Sequence, residues 1–286
     1  MPEMKDFKSP DEITWCPGCG DFGILNSLKK ALVKLGKQPK DILITSGIGQ
    51  AAKIPHYIKA NCFNGLHGRA IPPAVGAKIA NNKLTVIVST GDGDCYGEGG
   101  NHFIHNIRRN VDITVIVHNN QVYGLTKGQA SPTSDQGYVT KIQSNGVILE
   151  PIRPLELAIA LGAGFVARGY SADSEHLSWL IQEGINHKGF ALIDVLQPCV
   201  TFNKKNTYEW YSKRIYKVNE DASYNPQDLG AAFNKAQEWG EKIPIGIIYR
   251  QDKETYDEKS GLTKMAPLVD ADIGNIDIKP ILKEFS

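Results

Sequence analysis

Apolar residues fall along this chain in two alternating patterns, one of short continuous runs and one of helical spacing. Continuous runs occupy residues 41–45, 84–89 and 113–117, and each ends in a polar or glycine-containing segment. Such runs are typical of strands that are buried on both faces of a parallel sheet. Residues 21–35 and 98–109 instead carry apolar side chains at helical spacing. The pattern predicts an α/β domain with a parallel sheet covered by helices on both faces.

The same alternation continues in the second half of the chain. Helices are predicted at 155–161, 174–186 and 226–240, and strands at 165–167, 190–196 and 243–249. Residues 201–219 are rich in lysine, asparagine and tyrosine, which predicts an irregular excursion, and the polar tail beyond residue 251 predicts a segment that covers a neighbour or the surface. We therefore predict a main domain at 1–200, with a segment at 201–286 that completes it and covers a subunit interface.

Composition and charge exclude several classes of protein. The 286 residues are 41% hydrophobic, and their formal net charge of +1 gives no reason to expect nucleic acid or an acidic membrane surface as a partner. No apolar run reaches the roughly 20 residues that a transmembrane helix needs. The first 14 residues are polar and lack the apolar core of a signal peptide, so we expect a cytoplasmic protein.

Two polar loops follow two of the predicted strands. One is the segment GDGD at 91–94, and the other contains Asn119 and Asn120. A right-handed crossover places both loops at the carboxyl edge of the sheet, where α/β proteins bind ligands. Carboxylate and amide oxygens suit Mg²⁺, and the free N–H groups of a glycine-containing loop before a helix suit phosphate. A dinucleotide site is disfavoured because Tyr96 occupies the position of the third glycine in that fingerprint.

Several separate motifs carry a resemblance to one family. GDG at 91–93 with the asparagines at 119–120 resembles the thiamine-diphosphate motif, and HGRA at 67–70, GGNHFIHNIRRN at 99–110 and NNQVYGLTKGQASPT at 119–133 resemble the β subunit of 2-oxoacid:ferredoxin oxidoreductases. The resemblance implies that Asp92, Asn120 and the carbonyl of Val122 hold Mg²⁺. The cofactor-binding residues it implies are Gly47, Ile48, Gly49, His67, Gly91, Asp92, Gly93, Asp94, Asn120, Val122, Tyr123, Gly124, Leu125 and Thr126.

Two of the five cysteines form the motif WCPGC at 15–19. By itself this pair fits either a redox-active dithiol or two ligands of an iron–sulfur cluster. A dithiol normally follows a strand, whereas a polar leader precedes this motif. The resemblance favours a [4Fe–4S] cluster held by Cys16, Cys19 and Cys199, the last lying in the segment LQPCVTFN.

The fourth cluster ligand is an open question in this sequence. The family carries a cysteine in the loop after the first strand, and this chain has Gln50 there. Cys62 is the nearest candidate along the chain, although a buried thiol without a ligand role is an equal alternative. Cys95 follows the diphosphate motif directly, and we expect it to line the same pocket.

Basic residues near these motifs are candidates for the substrate end of the site. The resemblance makes His67 and Arg69 catalytic candidates, and it places Lys53 near the substrate carboxylate with Lys127 as a further candidate. The plain alternatives are a structural histidine and solvated lysines. Leu125 is where a side pocket that sets substrate size would begin.

The resemblance also implies the activity and the partners. The reaction is the coenzyme A-dependent oxidative decarboxylation of a 2-oxo acid, with electrons passing through the cluster to ferredoxin, and the reverse direction fixes CO₂. The spare basic residues favour 2-oxoglutarate over pyruvate. No carboxylate for the thiamine aminopyrimidine is evident, so we predict a separate α subunit and a dimer of αβ heterodimers. The basic residues at 204, 205, 213 and 214 either dock acidic ferredoxin or form a solvated surface.

Two other functions are weighed against this one. A non-oxidative thiamine-diphosphate decarboxylase or synthase would have no use for the three cysteines. A cofactor-free redox subunit with a WCxxC dithiol would have no use for the diphosphate motif.

Overall fold

A computed structural model describes residues 1–271, 274 and 277–285 of the chain. Within them the strands are β1 (Ile42–Ser46), β2 (Asn61–Asn64), β3 (Thr85–Gly91), β4 (Ile113–Asn119), β5 (Val122–Tyr123), β6 (Gln129–Ala130), β7 (Phe165–Tyr170), β8 (Phe190–Leu196), β9 (Ile215–Lys217) and β10 (Ile243–Arg250). One sheet contains eight of these strands in the order β2-β1-β3-β4-β8-β7-β10-β9. The remaining two, β5 and β6, form a separate antiparallel hairpin.

Helices cover both faces of this sheet. In the described part of the chain the α-helices are α1 (Asp21–Lys34), α2 (Ile54–Tyr57), α3 (Ile71–Ala80), α4 (Gly100–Arg109), α5 (Pro154–Ala160), α6 (Ser174–Asn186), α7 (Tyr208–Ser212), α8 (Leu229–Gln237), α9 (Tyr256–Lys259) and α10 (Lys279–Glu284). One hydrophobic core joins α1, α2 and α6 to the sheet. A second core joins α3, α4, α5 and α8 to the opposite face.

The two cores explain why the strands are apolar throughout. Along β3, Val86 and Val88 enter one core and Ile87 enters the other, and β4 repeats this alternation. Successive side chains of a strand point to opposite faces, so a strand covered on both sides needs an apolar residue at each position. The predicted α/β architecture is confirmed, and the central strands β1, β3, β4, β8 and β7 are all parallel.

The second half of the sheet departs from the sequence-based expectations in two ways. Strand β10 is present where predicted, but it runs antiparallel to β7, and β9 runs parallel to β10. The sheet is therefore mostly rather than wholly parallel. The prediction of an irregular excursion at 201–219 was wrong in part, because this segment contains α7 and β9. A strand of three residues at the sheet edge carries too little apolar pattern to be recognised.

Two short pairings were missed for the same reason. Every residue of β2 is exposed, so its sequence NCFN has no core pattern, although it pairs with β1 along its whole length. The hairpin of β5 and β6 has only two residues in each strand.

The first part of the polar tail packs on the chain itself. The Tyr256 N–H donates to the Asn110 carbonyl (3.1 Å), and the Asn110 side chain donates to the carbonyls of Lys253 and Glu254. The prediction for the tail also includes residues 272, 273, 275, 276 and 286, which lie outside the described residues.

Where the structure describes the chain, it contains no helix with the length and hydrophobicity to span a bilayer. Strands β9 and β10 belong to the same sheet as the strands before residue 200. The domain boundary at residue 200 stays a prediction.

Candidate active site

The two polar loops meet at one edge of the sheet. Strands β3 and β4 are parallel neighbours with Gly91 opposite His118, so the residues that follow each strand lie side by side. Asp92 caps a π-helical turn (Gly93–Glu98), and Asn120 lies between β4 and the hairpin. A small cavity opens between these two residues. Its position is the carboxyl edge at which ligands of α/β folds bind.

Nearly all of the cofactor-binding residues predicted from the sequence surround this cavity. Its walls are formed by Ile48, Gly49, Gln50, Ala51, His67, Gly91, Asp92, Gly93, Asp94, Asn120, Val122, Tyr123, Gly124, Leu125 and Thr126. Gly47 was predicted with them but lies behind the wall, where a Cβ atom would stand 2.0 Å from an oxygen of Asp94. The structure thus brings these residues together, and their individual roles toward a cofactor stay predictions.

Asp92 is the buried acid of the cavity. It is only 2% exposed, and its Oδ2 accepts hydrogen bonds from the hydroxyls of Ser131 (2.5 Å) and Thr133 (2.6 Å). Burial raises the pKa of Asp92 to about 6, against the lowering effect of the two hydroxyls. The two hydroxyls fix the orientation of this carboxylate, and no basic side chain of the described residues pairs with it. Its surroundings therefore suit a bound cation.

Asp94 holds two walls of the cavity together. Its side chain is buried, and its two oxygens accept bonds from the Ile48 N–H (3.0 Å), the Gly68 N–H (2.7 Å), His67 Nδ1 (2.9 Å) and the Thr90 hydroxyl (2.6 Å). These bonds join the loop after β1 to the loop before α3. When His67 Nδ1–H donates to Asp94, the other ring nitrogen, Nε2, is left with its lone pair.

The aromatic ring of Tyr123 explains one glycine of the motif. A Cβ atom on Gly93 would stand 2.2 Å from the Tyr123 ring, so no other residue fits there without displacing it. On Gly91, by contrast, a Cβ atom would have only Ala51 nearby, at 3.9 Å. The Tyr123 ring also stands edge-on to His67, with ring centroids 6.2 Å apart. Gly93 therefore serves the packing of the cavity wall, whatever it contributes toward phosphate.

The residues that sequence analysis missed are the supports of Asp92. Ser131 and Thr133 follow the β5–β6 hairpin, and Thr133 also lies 2.9 Å from Asn119 Oδ1. Their signal in the sequence was the hydroxyl-containing segment SPT at 131–133, inside a motif already noted. Gln50 and Ala51 were also not expected in the cavity wall.

The basic residues predicted for the substrate end do not line this cavity. Lys127 is exposed at the tip of the hairpin with a left-handed backbone (φ 77°), and Arg69 is exposed near the start of α3. Lys53 is half-buried at the end of a short 3₁₀ turn (Ala51–Lys53). Of the four catalytic candidates, only His67 contributes to the cavity wall.

The WCPGC turn packs against the end of β8. The Cys19 N–H donates to the Cys16 carbonyl (2.9 Å), and the Gly20 N–H donates to the Pro198 carbonyl (3.3 Å), so the turn adjoins the segment that carries Cys199. Burial and the nearby charge of Asp21 raise the pKa of the Cys19 thiol above its ordinary range. A thiolate here would need a positive partner such as iron. Among the described residues, no group of three or more His, Cys, Asp or Glu is arranged to hold a single metal ion.

The other two cysteines lie elsewhere. Cys62 is on the edge strand β2 opposite Ile44, and Cys95 is 2% exposed. Cys95 was expected to line the pocket, and this prediction was wrong, since its side chain belongs to the hydrophobic core. Gln50, in contrast, adjoins the cysteine pair, because its carbonyl accepts a bond from the Trp15 indole (3.0 Å).

A buried chain of polar groups runs between the cysteine turn and the cavity. Cys19 Sγ lies 3.4 Å from one oxygen of Asp21, whose other oxygen lies 2.7 Å from His118 Nδ1. His118 Nε2 lies 3.1 Å from the Ser89 hydroxyl, which donates to the Ala51 carbonyl (3.2 Å). The acid, histidine and serine are each about 1% exposed, so this Asp–His–Ser series has no access to a substrate and does not act as a hydrolytic triad.

Comparison with known proteins agrees with this geometry. Residues 46–195 match the family described as thiamine pyrophosphate enzyme, C-terminal TPP binding domain, and residues 199–264 match the family described as the C terminal of the pyruvate ferredoxin oxidoreductase beta subunit. The 2-oxoacid:ferredoxin oxidoreductase subunit beta of Saccharolobus solfataricus is 50% identical over 257 residues, covering 86% of this chain and 84% of that protein. The chain belongs to this family of β subunits. The predicted enzyme class is therefore confirmed.

Two further similar proteins are named for 2-oxoglutarate as their substrate. The 2-oxoglutarate oxidoreductase subunit KorB of Mycobacterium tuberculosis is 44% identical over 199 residues, covering 70% of this chain and 53% of that protein. The 2-oxoglutarate:ferredoxin oxidoreductase from Magnetococcus marinus, solved with 2-oxoglutarate, coenzyme A and succinyl-CoA bound, is similar with a TM-score of 0.91 and 34% identity, over 100% of this chain and 96% of that chain. Membership of this thiamine-dependent family argues against both the non-oxidative alternative and the cofactor-free dithiol subunit.

Proposed function

We propose that this β subunit acts on 2-oxoglutarate, converting it with coenzyme A into an acyl thioester and CO₂ while electrons leave toward ferredoxin. The observation that carries the proposal is the buried Asp92 beside Asn120, at adjacent strand ends and in one cavity. The substrate is supported by the KorB relatives and by the ligands of the similar Magnetococcus marinus enzyme. Pyruvate is the second candidate substrate. The same site would run the reaction in reverse as a reductive carboxylation.

Magnesium diphosphate fits the polar end of the cavity. Asp92 supplies a carboxylate without a cationic partner, and Asn120 and the Val122 carbonyl supply neutral oxygens, which is a hard-oxygen donor set suited to Mg²⁺. The Asn120 Oδ1 atom accepts the Val122 N–H (3.0 Å), which orients the amide at the turn. When bound here, thiamine diphosphate supplies a carbon nucleophile, and the chain supplies binding and orientation.

His67 is our candidate for handling a proton at the substrate end. Its Nδ1–H is held by Asp94, so the base atom is Nε2. Arg69, Lys53 and Lys127 do not line the cavity, so recognition of the second carboxylate of 2-oxoglutarate by these residues stays a prediction. We propose that residues of the α subunit form the rest of this end of the site and supply the acid that activates the aminopyrimidine, in a dimer of αβ heterodimers.

We propose that an iron–sulfur cluster binds at Cys16, Cys19 and Cys199. The packing of the WCPGC turn against the Pro198 carbonyl supports a shared site, and the iron of a cluster would supply the positive charge that stabilises a thiolate at the partly buried Cys19. Gln50 adjoins Trp15, next to the cysteine pair, so one iron would face a residue without a thiol. Cys62 remains the candidate for a fourth thiolate.

We propose that ferredoxin docks at the basic residues at 204, 205, 213 and 214. Lys205 pairs with Asp135 (2.9 Å), Lys213 pairs with Glu209 (2.5 Å) and Arg214 stacks on Trp210. These contacts leave less free positive charge than the sequence suggested. Surface ion pairs of this kind are screened and exchange readily, so a docking role would be visible as a strong dependence of ferredoxin reduction on salt.

The proposal is tested on the purified complex with its α subunit. We expect bound thiamine diphosphate, Mg²⁺ and iron, and coenzyme A-dependent reduction of viologen or ferredoxin that is faster with 2-oxoglutarate than with pyruvate. Equal or faster reduction with pyruvate would contradict the substrate assignment alone. A colourless complex without iron that retains thiamine diphosphate would contradict the cluster, and a complex without thiamine diphosphate would contradict the proposed function as a whole.

A further inference from the structure

The turn that joins β4 to the hairpin has an unusual backbone at its centre. Gln121 is 3% exposed and adopts a left-handed conformation (φ 57°), which residues other than glycine rarely take without support. This conformation reverses the chain between Asn120 and Val122, the two residues proposed to bind Mg²⁺ from this turn. The spacing of their oxygens therefore depends on what keeps Gln121 in place.

Three successive carbonyls of this turn each accept a hydrogen bond. The Asn119 carbonyl accepts the Gln197 N–H (3.0 Å), the Asn120 carbonyl accepts the Asn203 side chain (3.0 Å), and the Gln121 carbonyl accepts the Ser134 hydroxyl (2.6 Å). Two of the three donors come from residues that follow β8. The end of that strand and the segment after it therefore hold the turn from one side.

The side chain of Gln121 is held in the same way. Its Nε2 donates to the Thr133 carbonyl (2.8 Å), and its Oε1 accepts the Tyr211 hydroxyl (3.1 Å) from helix α7. Tyr211 is 1% exposed, and Asn203 is 2% exposed. The oxygen of the Asn203 side chain accepts two backbone N–H groups of its own turn, which aims its NH₂ group at Asn120.

We propose that Asn203 and Tyr211 are positioning residues for the magnesium-binding turn, acting through Asn120 and Gln121. The inference rests on the proposed function, since it assumes Mg²⁺ at this turn. It gives the segment after β8 a role in the diphosphate site that is separate from the ligand role of Cys199. The Asn203 N–H also bonds to the Cys199 carbonyl (3.1 Å), so one short turn carries both functions.

Two substitutions remove the donors with little change of shape. Tyr211→Phe leaves the ring and removes the hydroxyl, so Gln121 Oε1 loses its partner. Asn203→Asp keeps the acceptor for the local N–H groups and replaces the donor with an oxygen that faces the Asn120 carbonyl. Each leaves a buried acceptor unpaired, and we expect Mg²⁺ affinity at saturating thiamine diphosphate to fall about tenfold for Tyr211→Phe and further for Asn203→Asp.

Matched controls exist in the same protein. Tyr249→Phe removes the hydroxyl of a buried tyrosine that donates to the Gln251 side chain (3.0 Å), and Asn106→Asp removes a buried amide donor that bonds to the His102 carbonyl. Neither bond involves the metal turn. We expect both controls to bind Mg²⁺ as the unaltered complex does, even where they lower the melting temperature by a similar amount.

The experiment is a calorimetric titration of Mg²⁺ into the EDTA-treated αβ complex, with thermal melts of each variant. We expect high Mg²⁺ concentration to restore thiamine occupancy and turnover in Tyr211→Phe, which a general loss of folding would not allow. Unchanged Mg²⁺ affinity in both variants, or an equal loss in the controls, would overturn the inference alone. An unaltered complex that binds no magnesium thiamine diphosphate would overturn the proposed function, and the inference with it.

Discussion

The cavity around Asp92 and the turn around Cys19 each contain an acidic group whose pKa is raised by burial, yet the protein prepares the two places differently. In the cavity, Asp92 is oriented by two hydroxyls and Asp94 by four donors. At the cysteine turn, Cys16 is exposed, and the groups near the Cys19 sulfur are a glutamine and the carboxylate of Asp21, both at 3.4 Å. The acidic groups of the cavity are thus held in place by hydrogen bonds without a bound cation, whereas the geometry of the cysteines would be imposed by the cluster that we propose.

The largest expected effect separates the two sites. Asp92→Ala removes the only charged magnesium ligand that we propose from this chain, so we expect loss of thiamine diphosphate and Mg²⁺ from the purified complex, with iron retained. Cofactor content by chromatography and metal content by mass spectrometry measure this outcome. Asp92→Asn is the matched control for shape, and it should also fail to retain the cofactor. Full thiamine occupancy in either variant would contradict the assignment of Asp92.

The reciprocal change concerns the cysteines. We expect Cys199→Ser to lose most of the iron and the visible absorption while it retains thiamine diphosphate, because serine is a poor ligand for iron–sulfur clusters. Cys62→Ser tests the fourth ligand, and as a fourth thiolate Cys62 would be needed for full iron content. An unchanged iron content and spectrum in Cys62→Ser would remove Cys62 from the cluster. Unchanged iron in Cys199→Ser would contradict the cluster assignment itself.

A smaller effect is expected when the cavity wall is loosened without removal of a ligand. Asp94→Asn replaces one carboxylate oxygen with a donor, which would face the Thr90 hydroxyl or the donors from His67, Ile48 and Gly68. We expect a turnover number about tenfold lower, with the binding of Mg²⁺ less affected, because the change acts on His67 rather than on the metal ligands. Steady-state kinetics with 2-oxoglutarate, read beside Mg²⁺ titration, distinguish these two results. A pure loss of Mg²⁺ affinity would contradict this role.

The support of Asp92 can be tested with a near-isosteric change. Thr133→Val removes the hydroxyl that bonds to Asp92 Oδ2, and we expect Mg²⁺ affinity to fall about fivefold to tenfold, in line with the loss of one hydrogen bond to a charged group. Thr114→Val is a suitable control, because the Thr114 hydroxyl is also buried but bonds to the Gly184 carbonyl in α6. Equal affinities in the two variants would show that Ser131 alone suffices.

The last expected effect is a dependence of stability on pH. Burial raises the pKa of Asp92 from 3.8 to about 6 in the folded chain, so the folded state without metal holds this proton more tightly than the unfolded state. Stability of the metal-free complex should therefore be lost as pH rises from about 4 through about 6, by at most about 3 kcal/mol relative to Asp92→Asn. Denaturant titrations at both ends of this window, with and without Mg²⁺, measure the difference. A difference of the same size with Mg²⁺ bound would contradict the role of the cation.

The sequence predicted those features of the site that depend on residues close together along the chain. Asp92 and Asn120 follow apolar strands directly, and the crossover rule brings such strand ends together, so their meeting was predictable. Ser131 and Thr133 return to Asp92 only because a short hairpin, with two residues in each strand, turns the chain back. Tyr211 lies 90 positions after Gln121, and nothing in the local pattern encodes these contacts. Strand direction is also absent from an apolar run, which is why the antiparallel β10 was not foreseen.

The basic residues were the hardest to place from the sequence. Lys53 and Lys127 were predicted from the resemblance, but a long flexible side chain reveals nothing about the direction in which its backbone turns. Lys127 lies at the tip of the hairpin with a left-handed backbone and is not part of the cavity wall, although Leu125 and Thr126 just before it are. The prediction for Cys95 was wrong because the residue after Asp94 in this helical turn faces the hydrophobic core.

The hydrogen bonds that Asp94 accepts also limit how the walls of the cavity can move. Because one carboxylate ties the loop of Ile48 to the loop of Gly68 and His67, neither loop can swing outward alone without leaving a buried oxygen short of donors. We therefore expect the two loops to move together. Asp94 does not hold the opposite wall of the cavity, the hairpin of β5 and β6, so we expect this wall to be the one that moves when a cofactor enters.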